Sequence, residues 1–498
     1  MHPQREDGRR THPWSAVDPV IEELRGRAVE SPNSRRVSNL FTTRAVGLWE
    51  GCDIAKDRRA FEQANIPSRL QDLSLKFWIL LVLVGGAAGL GALLMMGILH
   101  EAQHLAFHYQ SGPFSVAVAH RSDARRLGVL VVDGAVTGGG LYLMQRFFGG
   151  TGGEPTAVVW TESGRLSLLR TLLSGALTEI TVGFGASLGR EAAPQHVGAA
   201  WADFVARVTH LPRHQRTLLV ACGAGAGLGA VYNVPLAGAA FALELYLGTI
   251  SIPLVVPAIL ASAVATGVSW LALPNRATYL VPPLGDPTLL IMVMAVVWGP
   301  LMGLLSAAYV HFIAWANDHR PRAIALAVEP VVLFFGLGLV AMKYPLVLGN
   351  GSDLAQFAFT GSGGIVSLAA LAVLKPAATV GSLRSGASGG LFTPTLSFGA
   401  VMGALMGHIW IQLVPASWSP AYAVVGAAAM LAAAMEAPLT AVLFVWELTR
   451  TIDAMMVPLL VAVVGATLVA QHLDLRSIYS ARLPLENRAN EHHQETRL

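Results

Sequence analysis

The sequence predicts an all-α, multi-pass membrane protein with broken and tilted helices, and three observations support this prediction. Of its 498 residues, 53% are hydrophobic and only 13% are charged, whereas about a quarter of the residues of a soluble domain are charged. The mean hydropathy is +0.53, and apolar runs long enough for a spanning helix begin at residue 73. Many later runs are interrupted by Gly and Pro, and lipid tolerates such helices only where they pack in protein or line a cavity.

Polarity divides the chain into three parts. Residues 1–72 are polar and rich in Arg, and we expect them to form a cytoplasmic N-terminal region. Residues 73–480 form the predicted membrane domain, and residues 481–498 form a short polar C-terminal tail. The net charge of +3 is too small to indicate a nucleic-acid partner. The two cysteines, Cys52 and Cys222, predict neither a disulfide framework nor a metal site.

The apolar runs define the predicted helices. The first two, at residues 75–99 and 127–144, have the length of a membrane span. Many of the others are shorter than a full crossing, which is typical of transporters and channels built on broken helices. These other runs cover residues 166–184, 192–208, 217–232, 235–247, 253–273, 289–316, 323–340, 365–380, 391–413, 421–434, 438–448 and 455–471.

Two parts of the chain repeat the same order of features. In each part a Pro-Leu segment, at Pro235 and at Pro438, is followed nine residues later by a glutamate, Glu244 or Glu447. A Gly-rich motif precedes each segment, GASLGREAAP at residues 185–194 and SGASGGLFTP at residues 385–394. Chance similarity between helices rich in small residues would not reproduce this order. We therefore predict two repeats, at roughly 127–250 and 325–472, with the substrate site between them.

The first Gly-rich motif places Gly189, Arg190 and Glu191 inside an apolar run. An ionisable side chain in such a run is costly in a membrane and indicates a functional site. The turn also precedes a helix N-terminus, whose free N–H groups favour an anion. We predict that Glu191 occupies an anion site when charged and leaves it when protonated, whereas Arg190 has a structural role. The alternative is that Glu191 pairs with Arg190 and only caps the helix.

The other Gly-rich segments suggest further donors to the same anion. We expect a helix to begin near Leu391 and Phe392, whose N–H groups would point at the ion. The loop at residues 149–155 precedes a short apolar segment, and the hydroxyl group of Thr151 would be an additional donor. Alone, either segment is equally consistent with an ordinary Gly-rich loop.

Two enzyme motifs compete with a transport function. His100, Glu101 and His104 match the H-E-x-x-H zinc-protease motif, with Asp133 as a candidate third ligand. The histidines fall at the end of a span, however, and a protease leaves the repeat unexplained. Residues 185–189 match the G-x-S-x-G motif of hydrolases, but a chain with 51 glycines produces such matches by chance. We therefore expect no enzyme activity, metal or cofactor, and keep an intramembrane zinc protease as a minor alternative.

In combination these motifs, together with Tyr479 in a Ser-Ile-Tyr-Ser-Ala segment, resemble the CLC family of chloride channels and proton/chloride exchangers over roughly residues 70–485. The resemblance implies an inverted-repeat CLC-type fold, a homodimer and one anion pathway in each subunit. It matches Glu191 to the gating glutamate and assigns anion contacts to the following residues: Thr151, Gly189, Arg190, Leu391, Phe392 and Tyr479. It implies chloride transport, in a bacterial inner (plasma) membrane, by a voltage- or pH-gated channel or a proton/chloride antiporter.

The sequence departs from the family pattern at three points. Thr151 stands one residue further from Pro155 than the family's serine does from its proline, and Ala192 replaces a glycine after Glu191. Leu245 stands where many exchangers of the family carry an internal proton-relay glutamate. The first departure leaves other anions, such as fluoride or nitrate, as alternative substrates. The third leaves open whether protons are coupled to anion movement.

Overall fold

The structure, a computed structural model, describes residues 70–160, 164–284, 288–413, 420–450, 455–473 and 476–482. Most of the predicted N-terminal region (1–72), including Cys52, and most of the predicted tail (481–498) lie outside these ranges. Within them the regular secondary structure is helical, and seven helices are long and apolar enough to cross a membrane. The prediction of an all-α, multi-pass membrane protein is thus confirmed.

Fourteen of the described helices follow the predicted apolar runs, whereas three short helices lie outside those runs, at Phe114–Ala119, Pro155–Trp160 and Ser352–Phe359. In chain order they are α1 (Leu75–Phe107), α2 (Phe114–Ala119), α3 (Asp123–Leu143), α4 (Pro155–Trp160), α5 (Leu168–Phe184), α6 (Ala192–Val208), α7 (Arg213–Tyr232), α8 (Pro235–Phe241), α9 (Ile252–Ser269), α10 (Leu289–Asp318), α11 (Ala325–Lys343), α12 (Ser352–Phe359), α13 (Ile365–Arg384), α14 (Phe392–Leu413), α15 (Ala421–Met435), α16 (Pro438–Thr449) and α17 (Met456–His472). A π-helical turn extends α3 over Met144–Phe148, and another extends α8 over Ala242–Leu247.

Hydroxyl side chains begin three of the long helices. Ser74, Ser122 and Thr288 each accept a hydrogen bond from the backbone N–H three residues later, at 3.2–3.3 Å. This bond satisfies one of the N–H groups that lack a partner in the first helical turn. The start of α1, α3 and α10 is therefore encoded locally.

The two halves of the chain contain the same six helices, α3–α8 and α11–α16. The backbone repeats in detail where α7 and α15 end. Asn233 and Glu436 both adopt the left-handed conformation, with φ of 59° and 55°. The next residues, Val234 and Ala437, have nearly identical angles, and Pro begins the following helix in both halves. A repeated irregular backbone is stronger evidence of duplication than repeated composition.

Glycines allow the helices that end at these turns to pack closely. A Cβ atom at Gly223 on α7 would lie 2.5 Å from the carbonyl oxygen of Gly198 on α6. In the second half a Cβ atom at Gly426 on α15 would lie 2.6 Å from the carbonyl oxygen of Gly399 on α14. Small residues thus permit backbone contact at corresponding places, as is common between membrane helices.

The glutamates of the repeated segments cap each other's helices. Glu244 accepts hydrogen bonds from the N–H groups of Leu439 and Thr440 at the start of α16, at 2.9 and 2.5 Å. Glu447 accepts from the N–H groups of Leu236 and Ala237 at the start of α8, at 3.1 and 2.7 Å. This exchange is what a two-fold relation between inverted repeats produces, and it explains the nine-residue spacing between proline and glutamate.

We expect Glu447→Ala to lower the free energy of unfolding by about 2 kcal/mol, because two N–H groups at the start of α8 lose a charged acceptor. Thermal unfolding of the purified protein in detergent measures the change. Glu101→Ala, which removes an exposed carboxylate from α1, is the control. Equal unfolding midpoints for the two variants would show that the cap contributes no stability.

Candidate anion site

The N-termini of α6 and α14 meet at a short backbone pairing between the two Gly-rich motifs. Gly189 and Gly390 form an antiparallel bridge in which each N–H donates to the other's carbonyl oxygen at 2.7 Å. Helix α6 begins at Ala192 and α14 begins at Phe392. Two helix N-termini, which carry positive partial charge, are thereby held together in the interior.

The side chain of Glu191 fills the space between these N-termini. Glu191 is completely buried, and its Oε1 accepts a hydrogen bond from the N–H of Phe392 at 2.7 Å. Its Oε2 accepts from the hydroxyl groups of Tyr232 at 2.9 Å and of Thr393 at 3.4 Å. The hydroxyl groups of Tyr232 and Thr393 are also hydrogen-bonded to each other. Donors from two separate helices, α7 and α14, therefore converge on one carboxylate.

The bridge glycines leave room for that carboxylate. A Cβ atom built on either Gly189 or Gly390 would overlap the carboxyl group of Glu191. The requirement is one of space, because neither glycine is among the residues with positive φ. The repeated glycines thus let a side chain or an ion of similar size lie against the paired backbones.

Aromatic side chains from both repeats enclose the site. Phe392 contacts Phe444 of α16, with ring centroids 4.4 Å apart, and Phe241 of α8, at 5.6 Å. Phe241 and Phe444 occupy corresponding positions in the two repeats. Tyr232 lies against Phe444 at 5.4 Å, and Tyr479 lies against Phe241 at 5.7 Å. These rings pack directly against Phe392 and Tyr232, which bind the carboxylate of Glu191.

Two basic side chains lie near the bridge. The guanidinium carbon of Arg190 lies 5.0 Å from the ring centroid of Tyr232, a cation–π arrangement. Lys375 of α13 is completely buried, and its Nζ donates to Ser187 Oγ at 2.8 Å and to the carbonyl oxygens of Val347 and Gly349 at 3.1 and 2.9 Å. The guanidinium group of Arg190 makes the surroundings of the Gly-rich motif electropositive, which favours an anion.

A small cavity lies between Tyr479 and Gly390. Gly390, which faces the carboxyl group of Glu191, lines this cavity together with Tyr479. The remaining lining residues are Glu154, Thr156, Ala192, Gln195, His196, Tyr246 and Arg482. Tyr479 is half-buried, so its side chain remains accessible from the cavity. We call this space the Tyr479 cavity.

The structure places Thr151 apart from the other predicted anion-binding residues. Thr151 is exposed and lines a neighbouring cavity instead of the Tyr479 cavity. Its carbonyl oxygen accepts a hydrogen bond from Ser174 Oγ at 2.8 Å. Thr156, inside α4, borders the Tyr479 cavity. The extra residue before Pro155 explains the displacement, because α4 begins at that proline and fixes the count from its own N-terminus.

Leu391 stands immediately before α14. The helix begins one residue later, at Phe392, whose N–H is the donor to Glu191. The carbonyl oxygen of Leu391 accepts from the N–H and the hydroxyl group of Thr395 at 3.1 and 2.6 Å. Leu391 therefore anchors the first turn of α14.

Sequence reasoning missed several residues of the site. Lys375 stands in the apolar run 365–380, so the criterion applied to Glu191, an ionisable side chain in a predicted span, would have found it. Tyr232 and Thr393 carried no comparable signal, since each is an ordinary residue next to a motif. Phe241 and Phe444 could be identified from the sequence only as corresponding positions of the two repeats.

The enzyme alternatives receive no geometric support. Within the described ranges no group of three His, Cys, Asp or Glu side chains could hold a metal ion. His104 instead bonds the carbonyl oxygen of Tyr109 through Nδ1 at 3.0 Å, and Asp133 accepts from the hydroxyl group of Thr137 at 3.3 Å. Ser187 of the G-x-S-x-G match is fully buried and bonds Lys375 and Thr379, so a substrate cannot reach it.

Comparisons with known proteins agree with this architecture. The family described as voltage-gated chloride channels matches residues 134–471. The chain is 32% identical to a ClcB-like chloride channel protein of Ralstonia nicotianae over 335 residues, which are 64% of this chain and 76% of that protein. It is 28% identical to the H(+)/Cl(-) exchange transporter ClcA of Klebsiella pneumoniae over 362 residues, 69% of this chain and 76% of that protein.

A solved structure supports the fold independently. The crystal structure of a slow cyanobacterial Cl−/H+ antiporter superposes with a TM-score of 0.71 at 22% identity, covering 82% of this chain and 97% of the other. The predicted CLC-type inverted-repeat fold is therefore confirmed. The family match covers most of the membrane domain, and it agrees with this fold and with two repeats that meet at a buried glutamate. The chain therefore belongs to the CLC family of voltage-gated chloride channels and carries out CLC-type anion transport across a membrane.

Proposed function

We propose that this protein exchanges chloride for protons and that Glu191 is the gate. One observation carries the proposal: the carboxylate of Glu191 is bound by the N–H of Phe392 and the hydroxyl group of Tyr232. These donors would serve a chloride ion equally well, because a carboxylate and a halide both accept hydrogen bonds as anions. Glu191 and the transported anion therefore compete for one site.

Competition links the proton to the anion. When Glu191 is ionised, its charge satisfies the donors and excludes chloride. When Glu191 binds a proton it loses that charge and gives up the site to chloride. The helix N-termini of α6 and α14 hold the anion without a full opposite charge, so it can also leave. By resemblance, the hydroxyl group of Tyr479 contacts the ion on its way through the Tyr479 cavity, and two such subunits form a homodimer.

A chloride channel is the second candidate, and Leu245 is the observation that favours it. Leu245 is buried, and its carbonyl oxygen accepts from Trp160 Nε1 at 3.2 Å. An aliphatic side chain at this position cannot relay a proton. Exchange therefore needs another proton-binding group on that side of the site.

Reversal potentials distinguish the two candidates. Purified protein in liposomes is placed under opposed chloride and pH gradients, and the voltage of zero current is measured. For an exchanger we expect a reversal potential that moves with the proton gradient. A potential equal to the chloride Nernst value at every pH gradient would refute exchange and establish a channel. Replacing chloride by fluoride or nitrate in the same assay determines the preferred anion.

A further inference from the structure

A cluster of charged side chains beside the Tyr479 cavity has no part in the gating proposal. Glu154 precedes α4, and its Oε2 lies 3.5 Å from Nε2 of His196 on α6. Arg320 and Arg482 lie within electrostatic range of Glu154. These four residues, Glu154, His196, Arg320 and Arg482, are called the vestibule cluster below.

The fold builds this cluster from distant parts of the chain. Nη1 of Arg482 donates to the carbonyl oxygen of Gly389 in the second Gly-rich motif at 3.3 Å. Its own carbonyl oxygen accepts from Nδ2 of Asn317 at the end of α10, at 3.2 Å. Arg320 follows three residues later, and its Nε and Nη2 are buried with no hydrogen-bond partner among the described residues. Two buried guanidinium nitrogens with free donors form an unfilled site for an acceptor.

Three of the four residues of the cluster lie where two cavities adjoin. Glu154, His196 and Arg482 line the Tyr479 cavity and also the neighbouring cavity that contains the exposed Thr151. The side chain of Glu154 is half-exposed and that of His196 is 26% exposed, so ions and protons can reach both. An anion moving from Thr151 to Tyr479 passes these side chains.

The uptake of one proton changes the net charge of the vestibule cluster. With His196 neutral, two guanidinium groups face one carboxylate, which leaves a single excess positive charge. A proton taken up by the Glu154–His196 pair raises this excess to two, whichever partner holds it. The other titratable groups facing the pair are the phenols of Tyr246 and Tyr479, which are uncharged. Acid pH therefore makes the cluster a stronger attractor of anions.

We propose that the vestibule cluster is a second, proton-linked anion site, in which Arg320 and Arg482 bind a halide when the Glu154–His196 pair takes up a proton. The proposal builds on the anion-transport function above. It supplies a proton-binding group beside the anion pathway even though Leu245 cannot be one.

Chloride binding in a Glu191→Gln background tests the proposal, because that substitution removes the proton linkage of the gate itself. Sodium chloride is titrated by calorimetry into detergent-solubilised protein in gluconate buffer, at acid and at neutral pH. Two buffers of different ionisation enthalpy report proton uptake. We expect E191Q to bind chloride roughly three- to tenfold more tightly at acid pH, as one unit charge in a partly hydrated site produces, and to take up protons on binding.

Adding Glu154→Gln and His196→Gln should remove both the pH dependence and the proton uptake. The control is E191Q with Glu101→Gln, which removes an exposed carboxylate from α1 and should behave like E191Q alone. Proton-linked binding that persists unchanged without Glu154 and His196, or is already missing in E191Q, overturns the proposal. If the triple variant does not fold, E191Q with Arg320→Gln replaces it: its chloride affinity at acid pH should fall by a similar factor, and an unchanged affinity refutes the site.

A different experimental result would show that Glu191 is not the gate. It would appear as chloride flux through E191Q liposomes that keeps the pH dependence of the unsubstituted protein. That result would leave the calorimetric test of the cluster intact.

Discussion

Glu191→Gln is expected to transport chloride without moving protons, at a rate that has lost the pH dependence contributed by Glu191. The amide is close in size to the carboxyl group but has no proton to exchange and no charge to compete with chloride for the N–H of Phe392. Across one pH unit a titrating carboxyl group changes its ionised-to-neutral ratio by about tenfold, so its loss should be large in a flux assay. Chloride efflux and proton uptake by proteoliposomes, recorded together over a pH series, measure it.

Glu101→Gln serves as the control for this experiment, since its carboxylate is exposed on α1. We expect its pH series to match that of the unsubstituted protein. Coupled proton movement that survives in the Glu191→Gln protein would exclude Glu191 as the gate. The hydrogen bonds from Phe392, Tyr232 and Thr393 to Glu191 would then stabilise the fold without taking part in transport.

Gly390→Ala should have a comparable effect while leaving Glu191 in place. The added methyl group would overlap the carboxyl group of Glu191, and the backbone cannot yield easily because Gly390 is paired with Gly189 through two 2.7 Å hydrogen bonds. The carboxylate must then leave the N–H of Phe392. We expect chloride flux that has lost the pH dependence contributed by Glu191 and coupled proton uptake that has fallen to background.

Gly381→Ala is the matched control for this variant. It lies inside α13, and a Cβ atom there would meet nothing within 4 Å. Both proteins are compared in the same flux assay and by size-exclusion chromatography, which checks that each is folded. A Gly390→Ala protein with wild-type pH dependence would mean that Glu191 gates without occupying the space between the paired glycines.

The repeat was the feature of the sequence that predicted most of the fold. Pro235 and Pro438 begin corresponding helices, and the nine-residue spacing to Glu244 and Glu447 holds in both halves. What the spacing could not reveal is that each glutamate caps the helix of the other half. That bond joins residues about two hundred positions apart, and only the packing of the repeats brings them together.

The candidate site was predicted unevenly, for a related reason. Glu191 was identified because a carboxylate in an apolar run is costly wherever it lies. Thr151 was chosen by its position in a loop, and a single additional residue before Pro155 moved it into the neighbouring cavity while Thr156 and Glu154 came to border the Tyr479 cavity. Loop positions do not carry the periodicity that makes helical positions predictable.

By itself, the sequence determined that this chain is a membrane protein of two repeats with a buried acid at their centre. These properties follow from hydrophobicity, helix-starting residues and the energetic cost of charge in lipid, all of which act locally. Only the tertiary structure decided which donors hold Glu191, that Gly189 pairs with Gly390, and that Glu154 meets His196 and two arginines. Each of those contacts joins segments that are distant in the chain, and its geometry depends on how the helices around them pack within a few tenths of an ångström.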